Sequence, residues 1–401
     1  YRRKILDHLV DIREDGSILL NMGYFDFATG LTMCRDEKWE KLFGIPRRQR
    51  ESEIVQSYMN MALAIQQITE DVVSRMARTA RKLTGSNYLV MAGGVALNCV
   101  ANGALLRQKI FDDLWIQPSA GDAGGALGAA FAAWHVGMEQ PRKSVSEQDA
   151  MAGAFLGPEF GSDDIKRTAK TYQASFVHYE DFDELCAVVA ERILRGLVVG
   201  WFQGRMEYGP RALGNRSILA NPCLPDTQKK LNLKIKYREE FRPFAPAVLE
   251  EDVAEYFDLD RPSPYMMLVA GLKEHRRRPQ PENERQMTLY ERLYHMRSDL
   301  PAVTHIDYSA RIQSVSKRTN ERFWKLIKAY KQKSGWGLLV NTSFNVRGEP
   351  MVCTPEDAYR CFMQTDMDCL VMGNDLFSKD DQPPWSEKNP WLAAGTPYAK
   401  D

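Results

Sequence analysis

The sequence predicts an α/β fold, and three observations carry that prediction. Two consecutive units, 88–110 and 114–134, each read as a short apolar strand, a glycine loop and a helix. Beyond residue 150, short apolar runs alternate with segments of 3.6-residue periodicity, the pattern of strands interleaved with helices. The 401 residues are 44% hydrophobic and 26% charged, the make-up of a globular chain with room for two or three domains.

The elements follow in order. The opening, with Ile5, Leu6, Leu9, Val10 and Ile12 apolar, reads as strands, and Asp15-Gly16 as a hairpin turn before Leu19 and Leu20. From Ser52, a candidate N-cap, apolar residues recur at helical spacing until Gly85 closes a long helix. A strand over 88–92, a turn at Gly93-Gly94 and a helix over 101–110 come next. A strand over 114–116, a loop over 118–125 and an alanine-rich helix through Trp134 repeat that order. Residues 139–165 are polar and rich in Pro and Gly, which puts a domain boundary near 150 and divides the chain into 1–150 and 151–401. The second part reads as helices over 182–194, 227–235, 320–331 and 355–363, with strands over 197–202, 302–306, 337–341 and 369–372. The charged segment 273–297 reads as a solvated excursion.

Charge and cysteine usage narrow the function. Fifty-three Lys and Arg balance 53 Asp and Glu, so no global field gathers nucleic acid, and any polyanion site needs a local cluster. No apolar run reaches the roughly 20 residues of a membrane helix, and the chain is expected in the cytoplasm. The seven cysteines contain no C-x-x-C pair, which speaks against zinc ribbons and disulfide frameworks and for a reducing compartment. The start at Tyr1 reads as the later part of a longer protein.

Four segments could carry chemistry. Residues 91–103 (MAGGVALNCVANG) and 119–130 (SAGDAGGALGAA) place glycines after strands and before helices, where backbone N–H groups approach an anion and the helix dipole attracts it. They also suit plain tight turns. Residues 204–222 and 234–249 hold, between Arg205 and Arg242, nine Lys and Arg against four acids. Guanidinium groups grip phosphate bidentately, and Arg205, Arg211 and Arg216 sit among Gly, Pro and apolar residues instead of on a solvated helix face. Residues 303–315 set His305, Asp307, Arg311 and Gln313 in alternation, as on one face of a strand. Residues 338–352 run a buried strand into Asn341, Thr342, Ser343, Asn345, Arg347 and Glu349, a polar rim suited to substrate. No catalytic serine triad spacing and no H-E-x-x-H motif is present.

Together these segments resemble the nodulation- and antibiotic-type O-carbamoyltransferases. The resemblance runs through LNMGYFDF, AGGVALNCVANG, GDAGGALGAA, GRMEYGPRALGNRSI, EEFRPFAP, VTHIDYSARIQ, NTSFNVRGEP and VMGNDLF, over nearly the whole chain. It implies the C-terminal part of an actin-like, sugar-kinase-like (RNase H-like) domain over 1–150, followed by a YrdC-like α/β domain over 151–401. It implies that ATP and carbamoyl phosphate form carbamoyl-adenylate in the second module. The first module then passes the carbamoyl group to a hydroxyl of a small-molecule acceptor beside iron (Fe2+).

Carried over by position, Arg205, Arg216, Lys236 and Arg242 become catalytic candidates. Gly94, Asn98, Arg205, Arg238, Arg311, Asn341, Thr342, Ser343 and Asn345 become nucleotide-binding candidates, and Asp122 the metal-ligand aspartate. Mg2+ is expected with the phosphates. The family's metal site also uses an H-x-x-x-H pair and ligands from an N-terminal lobe. The six histidines here are isolated, which implies a lobe removed or held on a separate chain. A homodimer is compatible with the sequence, whereas a membrane or nucleic-acid partner is not expected. The rivals are a tRNA threonylcarbamoyl-type enzyme and a nucleotide-binding regulatory module without turnover.

Overall fold

A computed structural model describes residues 1–49, 52, 54–143 and 149–385. Residues 144–148 of the expected interdomain stretch, and 386–401 of the expected second domain, lie outside the described residues. The chain forms two compact units. One comprises Tyr1–Ala92 with Val100–Gln117, the other Gly93–Cys99 with everything from Pro118 onward. These units follow packing, and they leave the division near 150 as an expectation.

In the first unit the opening residues form a helix, α1 (Arg2–His8), not a strand; Ile5 and Leu9, one helical turn apart, are buried in its core. The Asp15-Gly16 hairpin is present, joining β1 (Val10–Ile12) to β2 (Ile18–Leu20) with Gly16 at φ +87°. Helix α2 (Asp36–Phe43) follows, then the long α3 (Gln56–Thr84). Its N-cap is Val55 instead of Ser52, and the expected Gly85 ends it in the left-handed conformation. Strand β3 (Tyr88–Met91) pairs in parallel with β4 (Asp113–Ile116), and α4 (Cys99–Arg107) lies between them in sequence.

In the second unit α5 (Asp122–Ala132) already contains Gly124 and Gly125, which were expected in a loop. A Cβ on Gly124 would lie 2.0 Å from the Ser119 carbonyl oxygen, so close backbone packing demands the glycine there.

The rest of this unit is a nine-stranded mixed sheet. Its strands are β5 (Val177–His178), β6 (Val199–Phe202), β7 (Arg216–Ala220), β8 (Ala245–Leu249), β9 (Leu268–Gly271), β10 (Ser309–Val315), β11 (Leu338–Ser343), β12 (Cys369–Met372) and β13 (Asp375–Ser378). They lie in the order β5-β13-β12-β6-β7-β11-β8-β10-β9. Helices α6 (Ser162–Thr171), α7 (Phe182–Leu194), α8 (Thr227–Lys234), α9 (Val253–Tyr256), α10 (Leu289–Tyr294), α11 (Glu321–Ser334) and α12 (Pro355–Met363) connect the strands. The α/β class is therefore as expected.

Helices α7 and α11 bury Leu185, Val189, Ile193, Phe323, Leu326 and Tyr330 against Trp201, Leu219 and Leu339 of the sheet. At roughly 1.5–3 kcal/mol for each large apolar side chain, this one layer dominates the unit's stability. Side chains cap three of these helices: Asp181 caps α7, Asn320 caps α11, and Thr354 forms a capping box with Asp357 at α12.

Two expectations fail for backbone reasons. Residues 302–306 are not a strand, and the expected strand face over 303–315 begins only at Ser309, because the chain turns at Tyr308 (φ +61°). Asp307 accepts the Ser309 amide at 3.0 Å, an Asx-type turn, so His305 and Asp307 do not line up with Arg311 and Gln313. The excursion 273–297 is largely exposed, as expected, and is anchored at its end by Arg297, which is buried and donates to the Arg292 and Leu293 carbonyls. Among the described residues no helix is long and apolar enough to cross a membrane.

Candidate anion-binding site

The site lies in the second unit, where loop 204–215 passes over the ends of β7, β10 and β11. Two contacts tie the loop down, and a third links the side chains that make them. Gln313 donates to the Leu213 carbonyl at 2.7 Å, Asn341 donates to the Ala212 carbonyl at 3.1 Å, and the Asn341 amide also donates to Gln313 at 2.7 Å. Gly214 can follow this path because its φ is +110° and its hydrogen faces the Phe323 ring, which a Cβ would meet at 2.1 Å. Tyr208 reaches from the loop to the Ala123 carbonyl on α5, and Arg211 donates to the Leu97 carbonyl at 3.3 Å. The loop thus joins the two glycine segments 93–99 and 119–130 to the sheet.

Around this loop the arginines gather. Arg211 and Arg238 are each largely buried, and burial is the main cause holding both guanidiniums down to about 10. The positive charge of Arg311 acts on Arg211, and the charges of Arg242, Arg311 and Arg347 act on Arg238, in the same direction. Arg238 also rests 5.0 Å above the Phe244 ring and donates to Asn232. Arg242 has Glu239 beside it at 3.0 Å. Among the described residues Arg211, Arg238 and Arg311 form no ion pair with a carboxylate. The Nε of Arg211 is buried without an acceptor. Like charges so placed destabilise one another, and a ligand with several negative oxygens would relieve them.

The other expected residues fall into distinct places. Arg216 is fully buried beneath the site. It donates to the carbonyls of Gln203, Gly204, Asn215, Pro158 and Cys353, and its guanidinium packs 3.6 Å from the Phe202 ring, so no donor is left facing open space. Arg205 is more than half exposed and lies 3.6 Å from Glu159. Lys236 is buried, and burial followed by the charge of Arg238 lowers its pKa well below the ordinary value. Its ammonium donates to the carbonyl and hydroxyl of Ser343 and to the carbonyl and side chain of Asn345, which fixes the turn after β11. Asn341 is buried, while Thr342 is partly exposed at the strand's end. Gly94 is exposed, with open space where a Cβ would stand, and Asn98 is partly buried beside Leu97.

Asp122 is exposed in the first turn of α5. Among the described residues no group of three or more His, Cys, Asp and Glu side chains stands together, so the residues present do not fit an iron site.

The structure therefore brings together Arg238, Arg242 and Arg311 with Arg211, which the sequence also offered as a phosphate ligand, and adds Arg347 from the polar rim. What distinguishes them is tertiary: Arg211 lies at the crown of a loop pinned by Gln313 and Asn341, and Arg347 follows the turn held by Lys236.

Comparison with known proteins gives this arrangement its relatives. Residues 190–379 match the model of the carbamoyltransferase C-terminus, and residues 2–131 that of the carbamoyltransferase N-terminus. The chain belongs to the carbamoyltransferase family. It is 52% identical to an uncharacterised protein of Synechocystis sp., over 96% of this chain and 63% of that one. It is 38% identical to nodulation protein NolNO of Sinorhizobium fredii, over 86% of this chain and 48% of the relative. It is 32% identical to 3'-hydroxymethylcephem-O-carbamoyltransferase of Amycolatopsis lactamdurans, over 78% of this chain and 53% of the relative. The carbamoyltransferase chain thus spans about half to three fifths of the length of these relatives. A solved structure of full-length HypF aligns at 13% identity with a TM-score of 0.30, over 68% of this chain and 36% of that one, too loosely to inform the fold.

Proposed function

We propose that the chain is the nucleotide- and carbamoyl-phosphate-binding part of an ATP-dependent O-carbamoyltransferase. The observation that carries this reading is the cluster of Arg211, Arg238, Arg242, Arg311 and Arg347 in a chain of zero net charge. Carbamoyl phosphate and ATP together bring several negative charges into one place, and guanidinium forks neutralise them without proton exchange.

In the balanced reaction, carbamoyl phosphate loses inorganic phosphate to water and becomes carbamate. A carbamate oxygen then attacks the α-phosphorus of ATP, pyrophosphate leaves, and carbamoyl-adenylate forms. The acceptor's hydroxyl oxygen attacks the carbamoyl carbon, its proton departs, and AMP leaves. The arginines would hold phosphate oxygens and stabilise the charge that builds on the leaving pyrophosphate. Arg216 and Lys236 serve this site from beneath: each spends its donors on backbone and side-chain oxygens that shape the loops. The glycine segment with Gly94 and Asn98 is the proposed place for the adenylate's carbamoyl end.

Mg2+ would accompany the phosphates, and iron belongs to the transfer step that the family resemblance implies. With Asp122 the one ligand carried over from that resemblance, no step is assigned to iron in this chain. The acceptor is proposed to be a small-molecule alcohol, as the name of the cephem-modifying relative illustrates for that enzyme.

The test is pyrophosphate release from ATP by the 401-residue chain, with and without carbamoyl phosphate. Release that depends on carbamoyl phosphate and is lost in Arg238→Gln supports the reading. ATP binding with no such release would reduce the chain to a binding module and overturn it.

A further inference from the structure

Beneath the arginine cluster lies a carboxylate with no assigned role. Glu207 is buried at 4% exposure. Its Oε1 accepts three backbone N–H groups, those of Leu213 at 2.6 Å, Asn215 at 2.9 Å and Arg216 at 3.3 Å. Three amides of one turn converging on one oxygen resemble the nests that elsewhere cradle phosphate. Here the chain fills the nest with its own side chain, and doing so ties residue 207 to residues 213–216. The segment 208–212 becomes a closed loop with Glu207 at its neck and Arg211 at its crown.

Above the neck the loop is held on either side of Arg211. Tyr208 is held through its amide to the Ala154 carbonyl, through its carbonyl to the Ser119 hydroxyl and through its hydroxyl to Ala123. Ala212 and Leu213 are held by Asn341 and Gln313. Between those points, among the described residues, only the 3.3 Å bond to Leu97 fixes Arg211, whose Nε is otherwise unpartnered. The angle at which the guanidinium enters the site therefore depends on the neck. We propose that Glu207 is a positioning residue for Arg211, acting through the Leu213, Asn215 and Arg216 amides, so that anion affinity at the cluster depends on it although it cannot touch the ligand. This inference rests on the anion-site reading above.

Two further facts agree. Burial raises the Glu207 pKa, with the Asn215 and Leu213 amides and the charge of Arg216 opposing that rise. Its Oε2 is buried and has no partner, so one oxygen does all the bonding. A neutral acceptor of the same shape should then serve nearly as well, which separates positioning from charge compensation.

The experiment measures inorganic pyrophosphate binding by calorimetry with the 401-residue chain and four variants: Glu207→Gln, Glu207→Ala, Arg211→Ala and the Glu207→Ala/Arg211→Ala double. Glu207→Gln keeps the single acceptor, and its affinity should stay within about twofold of wild type. Glu207→Ala and Arg211→Ala should each weaken binding at least about tenfold, the scale of one charged hydrogen bond. If Glu207 acts through Arg211, the double variant should bind no worse than Arg211→Ala alone, a non-additivity that a merely structural role would not produce.

Wild-type affinity in Glu207→Ala, additive losses in the double variant, or a tenfold loss in Glu207→Gln would each overturn the proposal. Should Glu207→Ala fail to fold, Glu207→Asp takes its place, because its shorter side chain withdraws the acceptor from the three amides: it should weaken binding at least about tenfold, and wild-type affinity in Glu207→Asp would overturn the proposal. If the wild-type chain binds no pyrophosphate, the anion-site reading falls. The neck is then tested by amide hydrogen exchange, where Glu207→Gln should preserve the protection of Leu213 and Asn215 and Glu207→Ala should remove it. Unchanged protection in Glu207→Ala would overturn the positioning role.

Discussion

Replacing Arg311 by glutamine tests the electrostatics of the site from both sides at once. Arg311 lies on β10, and its charge bears on both Arg211 and Arg238. Each of those two falls from 12.5 to about 10. At about 1.4 kcal/mol for each tenfold change in proton affinity, that fall caps the cost of keeping each one charged at roughly 3 kcal/mol, before discounting for solvent screening. Burial is the larger cause, so removing Arg311 should return on the order of 1 kcal/mol to the anion-free protein.

The sign follows from linkage. A cation whose pKa is lowered by folding destabilises the fold at every pH below the lowered value, and the penalty fades only above pH 10. At pH 7.5, then, Arg311→Gln should melt about 2–4 °C above wild type without anion. Pyrophosphate should do the opposite. At a hundred times its Kd it should stabilise wild type by about 2.7 kcal/mol, or roughly 5–10 °C, and it should stabilise Arg311→Gln much less. Differential scanning fluorimetry in pyrophosphate against chloride at matched ionic strength reads both effects. A variant that melts below wild type without anion, or a wild-type protein that gains no more from pyrophosphate than from chloride, would refute the argument.

Two further outcomes follow. Arg216→Ala should lose about 3–5 kcal/mol of stability by urea unfolding, since it strips the shared donor from the Gln203, Gly204 and Cys353 carbonyls within a buried strand; a stable Arg216→Ala that loses only anion binding would place this side chain at the ligand after all. Lys379 is lowered by burial from 10.5 to about 8, so its charge destabilises the fold below pH 8, and that penalty is gone above pH 10.5. The melting temperature of wild type minus that of Lys379→Met should therefore grow more positive from pH 7 to pH 9.5, and a flat difference would contradict the assignment.

Much of the fold was legible because local signals were strong and agreed with each other. The helices over 182–194 and 355–363 announce themselves by periodicity, and the strand over 369–372 by an uninterrupted apolar run. The strands that the sequence hides carry misleading residues. Strand β7 opens with Arg216, which reads as a phosphate ligand in a glycine-rich loop until its carbonyl partners are seen. Strand β8 contains Pro246, a residue that argues against a central strand, yet Pro246 stands opposite Val340 of β11, and the parallel ladder with β10 begins at Ala247.

At the site, the basic segments were visible as composition, and Arg238, Arg242 and Arg311 were singled out. Which arginines face one another was not visible, because it depends on a loop path fixed by Gln313 and Asn341. Glu207 gave no signal, since a carboxylate among arginines looks like surface charge until its three amide donors are placed.

The same clamps bear on how the chain comes to be folded. Gln313 lies 100 residues beyond Leu213, and Asn341 lies 129 residues beyond Ala212. At a synthesis rate of roughly 5–20 residues per second, the crown loop emerges about 6–26 s before the asparagine that pins it. During that interval the arginines are carried on an unclamped segment, able to meet any cellular polyanion, and the central strand that will seat them does not yet exist. Contacts so distant in sequence also make slow, cooperative folding the expectation. The proposed anion site therefore appears late, and an anion that bound it would select chains in which β10 and β11 are already in place.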